Sequence, residues 1–268
     1  MLHPTAFIHP DAQLGEQVTV GPFAVIEGGA QIGQGCTIQA HAVIGAHVRM
    51  GPGNRIGCGA ILGGDPQDFA FRPETRSTVI LGEGNCIREH VTIHRGTVEG
   101  SATLVGDRCF LMAGTHLGHN VQIGSDVTLA NNTLLGGHVI VEDRVFVGGG
   151  CVFHQHIRIG RLAMCQGLSA FGKDIPPFVI AGRINGVAGL NVVGMRRAGL
   201  DATERAEIKA AFALLYRSGL NVSQALTAST ARKWGGAAQA FWDFVAAAKK
   251  RGLCDLLAAR RGAGAEEE

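Results

Sequence analysis

Aliphatic residues recur at every sixth position over most of the first 165 residues. The register runs Leu2, Ile8, Leu14, Val20, Ile26, Ile32, Ile38, Ile44, Met50, Ile56 and Leu62 without a slip. It returns at Leu81, Ile87 and Ile93, then at Val105, Leu111, Leu117, Ile123, Leu129, Leu135, Val141, Val147, Phe153, Ile159 and Cys165. A period of six fits neither a helix nor an isolated strand, so it marks a repeating unit of one short strand plus one turn. Residues two positions earlier share the inward face of each strand. They are small or β-branched, as a narrow interior demands: Ala12, Val18, Ala24, Ala30, Cys36, Ala42, Val48 and Ala60, then Cys109, Thr115, Val121, Val127, Thr133, Val139, Val145 and Cys151. Asn54 and Asn85 break that rule. Glycine often follows the aliphatic residue, as at Gly45, Gly118 and Gly136, where a tight corner needs unhindered backbone. The pattern predicts a parallel β-helix of hexapeptide repeats.

The repeat is interrupted between Leu62 and Leu81 and between Ile93 and Val105. GGDPQDFAFRPETRSTV and HRGTVEGSATL carry polar residues that a coil does not need, so insertions at 63–80 and 94–104 are predicted to project as loops suited to recognition. After Phe171 the pattern changes to a proline-punctuated exit, FGKDIPPFVIAGR. Asp201 and Glu204 form a capping-box pattern, with Ile208, Phe212 and Leu215 on one helical face, and a second helical segment surrounds Phe241, Trp242, Phe244 and Val245. The predicted organisation is a β-helix over 1–190, a helical domain over 191–262 and a disordered tail over 263–268.

Composition narrows the class. With 268 residues, 46% of them hydrophobic, the chain can bury a substantial core, and a net charge of +2 argues against a strongly basic nucleic-acid binder. No apolar run is long enough to span a bilayer, and MLHPTAFIHP lacks the regions of a signal peptide, so a cytoplasmic location is expected. Seven cysteines without a CxxC motif do not form a disulfide framework; Cys36, Cys109 and Cys151 already serve as small inward residues.

Beyond the hexads, the chain contains VTIHRGT (91–97), FLMAGTHLGHNVQIG (110–124), LLGGHV (134–139), VFHQ (152–155), DIPPFVIAG (174–182) and LNVVGMRR (190–197). In these strings it resembles the UDP-N-acetylglucosamine O-acyltransferases, which begin lipid A synthesis by moving a 3-hydroxyacyl chain from acyl carrier protein to the 3-position of the sugar. The resemblance implies a left-handed β-helix, a homotrimer with active sites between subunits, and a C-terminal helical domain. It implies acyl carrier protein and a UDP-sugar as partners, and neither a metal nor another cofactor.

Geometry points to the same region. If three hexads make a coil, residues 18 apart are stacked about 4.8 Å from one another, which aligns His119, Gly137 and Gln155. A histidine beside a backbone without a Cβ suits acyl transfer to a hydroxyl, supplying a base near neutrality and an unobstructed N–H for an oxyanion. The resemblance gives His119 the role of general base and Gly137 that of oxyanion donor. It also places His116, His138 and His154 at the site with Gln155. Asp68 falls at a position touching the acceptor sugar, and Gly167 at one limiting acyl length. Asn191, Arg196 and Arg197 fall in the stretch holding the nucleotide diphosphate, where a guanidinium fork suits phosphate. Each also has a plainer reading: His116 and His94 as surface or loop-anchoring residues, His138 and His156 as a simple stack, Asp68 as a turn residue, and the arginines as a solvated cationic turn.

The chain departs from the family pattern at four positions. The lysine of the family string QDLK is Ala70, the aspartate after the catalytic histidine is Asn120, and a glutamate and a second arginine of the nucleotide region are Val193 and Ala198. These changes keep open a related acyltransferase acting on another nucleotide sugar, such as the 3-amino analogue. A γ-class carbonic anhydrase, with three histidines on zinc, and a noncatalytic β-helix scaffold are further alternatives.

Overall fold

The computed structural model describes residues 1–248 and 251–257. The hexads wind into a left-handed parallel β-helix whose strands, mostly two residues long, form three sheets of nine, eight and eleven strands among the described residues. We call these the first, second and third faces. On the first face Val25 pairs with Val43 and Val43 with Ile61, each 18 positions on. Ile61 then pairs with Thr92 and Thr92 with His116, so the two insertions add length without breaking the ladder.

The inward positions form one continuous core. Ile26, Ile44, Leu62, Ile93, Leu117 and Leu135 are fully buried, as are the small residues Ala24, Ala42 and Ala60 behind them. Burial of each large aliphatic side chain contributes about 1.5–3 kcal/mol, so repetition stabilises the prism without any single indispensable layer. Leu2 opens the sequence register but remains half-exposed, because it makes only an isolated bridge to Val20. Asn54 and Asn85 are buried in the same stack, where hydrogen bonds match all of their side-chain amide groups except Asn85 Nδ2. Asn54 Nδ2 donates to the carbonyls of Gly51 (2.7 Å) and Gly82 (2.8 Å). Its Oδ1 accepts from Asn85 N–H, and Asn85 Oδ1 accepts from Cys109 N–H, so two side-chain amides serve buried backbone groups of the following coils.

The loops inside the two insertions are shorter than the sequence breaks. Residues 61–64 and 78–81 belong to strands, as do 92–94 and 102–105, which leaves 65–77 and 95–101 outside the coils. The loops clasp one another. The buried Arg95 donates to Asp65 (2.9 Å) and to the carbonyls of Pro73 and Thr75, and its guanidinium stacks over Phe71. A buried arginine saturated in this way ties the long loop to the short one.

Past the coils, Val179–Gly182 and Gly186–Leu190 form an antiparallel hairpin on the third face, and Asp255–Leu256 returns to pair with it. Four helices occur among the described residues: α1 (Val192–Arg197), α2 (Ala202–Tyr216), α3 (Val222–Ser229) and α4 (Gly236–Ala246). Asp201 and Glu204 make the reciprocal capping box at the start of α2, and Asn221 with Gln224 repeats the device at α3. Ile208, Phe212 and Leu215 are buried as their spacing requires, and Phe241, Trp242 and Phe244 pack with Phe178 and Trp234 in a second core. Helices α1 and α3 are additions to the two helical segments legible in the sequence; at six and eight residues, each is too short for a clear periodic stripe. The tail expected over 263–268 lies outside the described residues.

Candidate active site

A cleft of about 730 Å³ opens along the edge where the first face turns into the second. His119, Gly137 and Gln155 line it on successive coils, and the corners are tied by His138 N–H to His119 O (2.9 Å) and His156 N–H to Gly137 O (3.0 Å). A Cβ added to Gly137 would overlap Cε1 and Nε2 of His119. The imidazole therefore lies directly over this backbone, in space that only glycine leaves open. No backbone carbonyl among the described residues accepts the Gly137 N–H.

His119 is anchored from behind. Its Nδ1 is 3.0 Å from Asn120 Oδ1, and that oxygen also accepts from the backbone N–H (3.1 Å) and hydroxyl (3.0 Å) of Thr97 in the short loop. Asn120 has φ +60°, a left-handed conformation that asparagine tolerates, and its own N–H donates to Thr103 Oγ1 (2.8 Å). The corner and the short loop thus converge on one side-chain amide, while the adjoining strand holds the backbone N–H of the same residue.

His116 and His154 also line the cleft, and His94 stands edge-on to His116 with ring centroids 4.8 Å apart. Thr92 Oγ1 lies 2.7 Å from His116 Nδ1. Burial, followed by the charges that His116 and His119 would carry, pushes the His94 imidazole down to about 4. Burial also lowers His116. His138 stands edge-on to His119 at 5.1 Å and is stacked on His156 at 4.5 Å; burial and then these two rings lower it. These three imidazoles are therefore neutral near pH 7. Leu134, Val152, Phe153, Ala170, Phe171 and Ile184 give the cleft an apolar wall, with Phe153 stacked on Phe171. None of the lining side chains is Asp, Glu, Lys or Arg.

Other residues singled out in the sequence lie elsewhere on the chain. Asp68 is exposed in the long loop, where Oδ1 accepts from Ala70 N–H (2.9 Å), while its neighbour Gln67 reaches the cleft. Gly167 sits at the corner between the third and first faces, against the Gly149 carbonyl. Asn191 caps α1: Oδ1 accepts from Gly194 N–H, and Nδ2 donates to Leu162 O. Arg196 and Arg197 occupy the last turn of α1. Arg197 lines a separate hollow of about 450 Å³ with Asp126, Arg144 and Leu162, at the corner between the second and third faces.

The cleft also recruits residues that sequence reasoning left out. Thr97 was visible only as part of the VTIHRGT string, since nothing in its spacing links it to Asn120. Phe171 continues the stack 18 residues beyond Phe153 and could have been found that way. Ile184 and Asn185 come from the hairpin tip, where no periodicity places them; Asn185 Oδ1 accepts from Gly172 N–H (2.6 Å).

The architecture is that of the hexapeptide-repeat transferases. A family model for bacterial transferase hexapeptides of six repeats matches residues 11–46 and 102–137, and one for domain 2 of UDP N-acetylglucosamine O-acyltransferase matches 174–254. A relative from Paraburkholderia phymatum named acyl-[acyl-carrier-protein]–UDP-N-acetylglucosamine O-acyltransferase is 49% identical over 226 residues, covering 84% of this chain and 86% of its own. A relative of the same name from Halorhodospira halophila is 44% identical, covering 84% of this chain and 87% of its own. The solved UDP-N-acetylglucosamine acyltransferase of Bacteroides fragilis has a TM-score of 0.89 at 38% identity, covering 94% of this chain and 99% of its own. The chain belongs to the UDP-N-acetylglucosamine O-acyltransferase family.

Proposed function

We propose that the protein transfers a 3-hydroxyacyl chain from acyl carrier protein to the 3-hydroxyl of UDP-N-acetylglucosamine, in lipid A synthesis in the cytoplasm. The observation that carries the mechanism is the His119 imidazole lying over Gly137. His119 Nε2 takes the proton of the acceptor hydroxyl, and the oxygen attacks the thioester carbon. The Gly137 N–H stabilises the tetrahedral oxyanion. Collapse breaks the C–S bond, and the leaving thiolate takes up the proton held by His119. The apolar wall from Leu134 to Ile184 receives the acyl chain.

An uncharged cleft does not by itself suit an anionic nucleotide. The cations that match a diphosphate, Arg144 and Arg197, belong to another corner of the same chain. We therefore take the working enzyme to be a homotrimer in which a neighbouring copy brings its arginines, Asn191 and Gly167 to the cleft. A 3-amino acceptor is the alternative suggested by Ala70 and Asn120, but Asn120 Oδ1 still anchors the imidazole, which favours the hydroxyl. His119→Ala is expected to lower turnover on acyl carrier protein and UDP-N-acetylglucosamine by roughly two to four orders of magnitude with the fold unchanged. Near-normal turnover would remove His119 from the mechanism.

A further inference from the structure

The cleft has an apolar end and a polar end. Leu134, Val152 and Ala170 follow His116 in one outward column of the first face, and Ile184 bridges to Ala170, so the apolar wall runs away from the base in one direction. His94 and Gln67 come from the preceding coils, on the side left to the acceptor sugar when the acyl chain takes the wall. One rung before His116 the same column holds Thr92, a hydroxyl set between the apolar Ile61 and Leu134. Thr92 Oγ1 lies 2.7 Å from His116 Nδ1. A hydroxyl can donate or accept, and the surroundings decide which. Among the described residues no other acceptor is within hydrogen-bond reach of Thr92 Oγ1, and a lone pair on Nδ1 supplies one. An Nδ1–H would instead leave the hydroxyl proton without a protein partner. We infer that Thr92 is a positioning residue that donates to His116 Nδ1 and so holds this ring as the neutral Nε2–H tautomer, a hydrogen-bond donor for an oxygen of the acceptor sugar beside the reacting hydroxyl.

The ring is held from a second side. His94 stands edge-on to it with centroids 4.8 Å apart, and Gly64, the residue paired with His94, leaves that ring its space: a Cβ there would come within 3.3 Å of His94 Cδ2. His116 Nε2, across the ring from Thr92, has no hydrogen-bond partner among the described residues and is the nitrogen left for a ligand. His119, three residues on, meets a carbonyl oxygen at Nδ1. Two imidazoles of one coil therefore present opposite polarity, a lone pair at His119 and a proton at His116. A donor ordered before the sugar arrives strengthens binding without touching the reacting atoms, so its effect falls on KM and not on kcat.

This role rests on the proposed transfer to UDP-N-acetylglucosamine, but the tautomer is read without turnover. Histidine-selective nitrogen-15 labelling of the full chain, with His116 assigned by comparison with His116→Gln, is expected to show a protonated Nε2 and an unprotonated Nδ1 at pH 8. Thr92→Val keeps the β-branched shape on the strand and removes the hydroxyl. It is expected to shift His116 towards the Nδ1–H form and to raise KM for UDP-N-acetylglucosamine about fivefold, the scale of one hydrogen bond, with kcat within about twofold. Thr92→Ser restores the hydroxyl without the methyl group and is expected to recover both the tautomer and KM, which a loss of packing alone would not allow. An Nδ1–H tautomer in the wild type, or an unchanged tautomer in Thr92→Val, would overturn the assignment. A shifted tautomer with an unmoved KM would overturn the contact with the sugar. The Nε2–H form in a protein without transferase activity on this acceptor would instead overturn the functional reading and leave the positioning by Thr92 intact.

Discussion

Two corners of the same coils, built on the same backbone, have been given opposite chemistry. Between the first and second faces the left-handed positions are Asn120, His138 and His156; between the second and third they are Arg108, Asp126, Arg144 and Leu162. At the second corner, Arg108 makes a two-point ion pair with Asp126 (2.9 and 3.0 Å). The backbone N–H groups there are taken by side chains of the next coil: Asp107 N–H donates to Ser125 Oγ, and Ser125 N–H to Asp143 Oδ1. Gly137 stands twelve residues beyond Ser125 at the same place in the hexad, yet no side chain of the next coil takes its N–H and an imidazole stands over it. The coil fixes where an amide points; the next coil's side chain decides whether that amide closes the structure or remains for a ligand.

The largest test of this contrast is Gly137→Ala. The new methyl group meets a movable side chain and not packed backbone, so His119 is displaced while the coil persists. Turnover is expected to fall about a hundredfold or more, the range for losing an aligned base or oxyanion donor, with Tm nearly unchanged. A variant that loses activity only in proportion to its unfolding would show that this corner, too, is merely structural.

The contrast also explains what could be read from the chain. Hexad periodicity reports the coil because every unit repeats the same inward constraint, and the 18-residue spacing alone aligns His119, Gly137 and Gln155. The polar interior at Asn54 and Asn85 looked like a fault because pattern registers hydrophobicity, not the hydrogen bonds that those side chains make to backbone groups. The Thr97–Asn120 contact was hidden because an insertion has no period. Asp68 and Gly167 came from resemblance, and within one chain they remain outside the cleft.

If the charged corner serves the cleft of a neighbouring copy, replacing its cations should affect acceptor binding more than chemistry. Arg144→Ala and Arg197→Ala are each expected to raise KM for the UDP-sugar about tenfold, in line with losing a hydrogen bond to a charged group, with kcat within about twofold. Unchanged KM in both would separate this corner from the acceptor. Gly167→Met is expected to have a smaller effect, shifting preference towards shorter acyl donors by overfilling the groove. Steady-state rates across a donor series measure it, and an unaltered profile would assign the limit to other residues.

The smallest expected effect is on stability in acid, and it separates the corners by pH window. His94 is held at about 4 in the folded chain against an ordinary value of 6.5. As pH falls through 6.5 the unfolded chain takes up the proton first, so His94 removes stability between about 6.5 and 4 and nothing further below that. Asp126 is held below its ordinary 3.8, first by its hydrogen bond to Arg108; its contribution is present above that value and is lost as pH falls below it. Both slopes have the same sign because in each case the unfolded state binds the proton more readily. Water reaches both groups and weakens the effects. His94→Gln is therefore expected to flatten the fall in Tm between pH 6.5 and 4 by only about 2–4 °C, roughly 1 kcal/mol for a chain of this length. Arg108→Gln should leave that window unchanged and alter only the slope below it. Circular dichroism melts across the two windows check the assignment: a His94→Gln profile parallel to wild type above pH 4 would show that the half-buried imidazole does not set the acid response of the cleft.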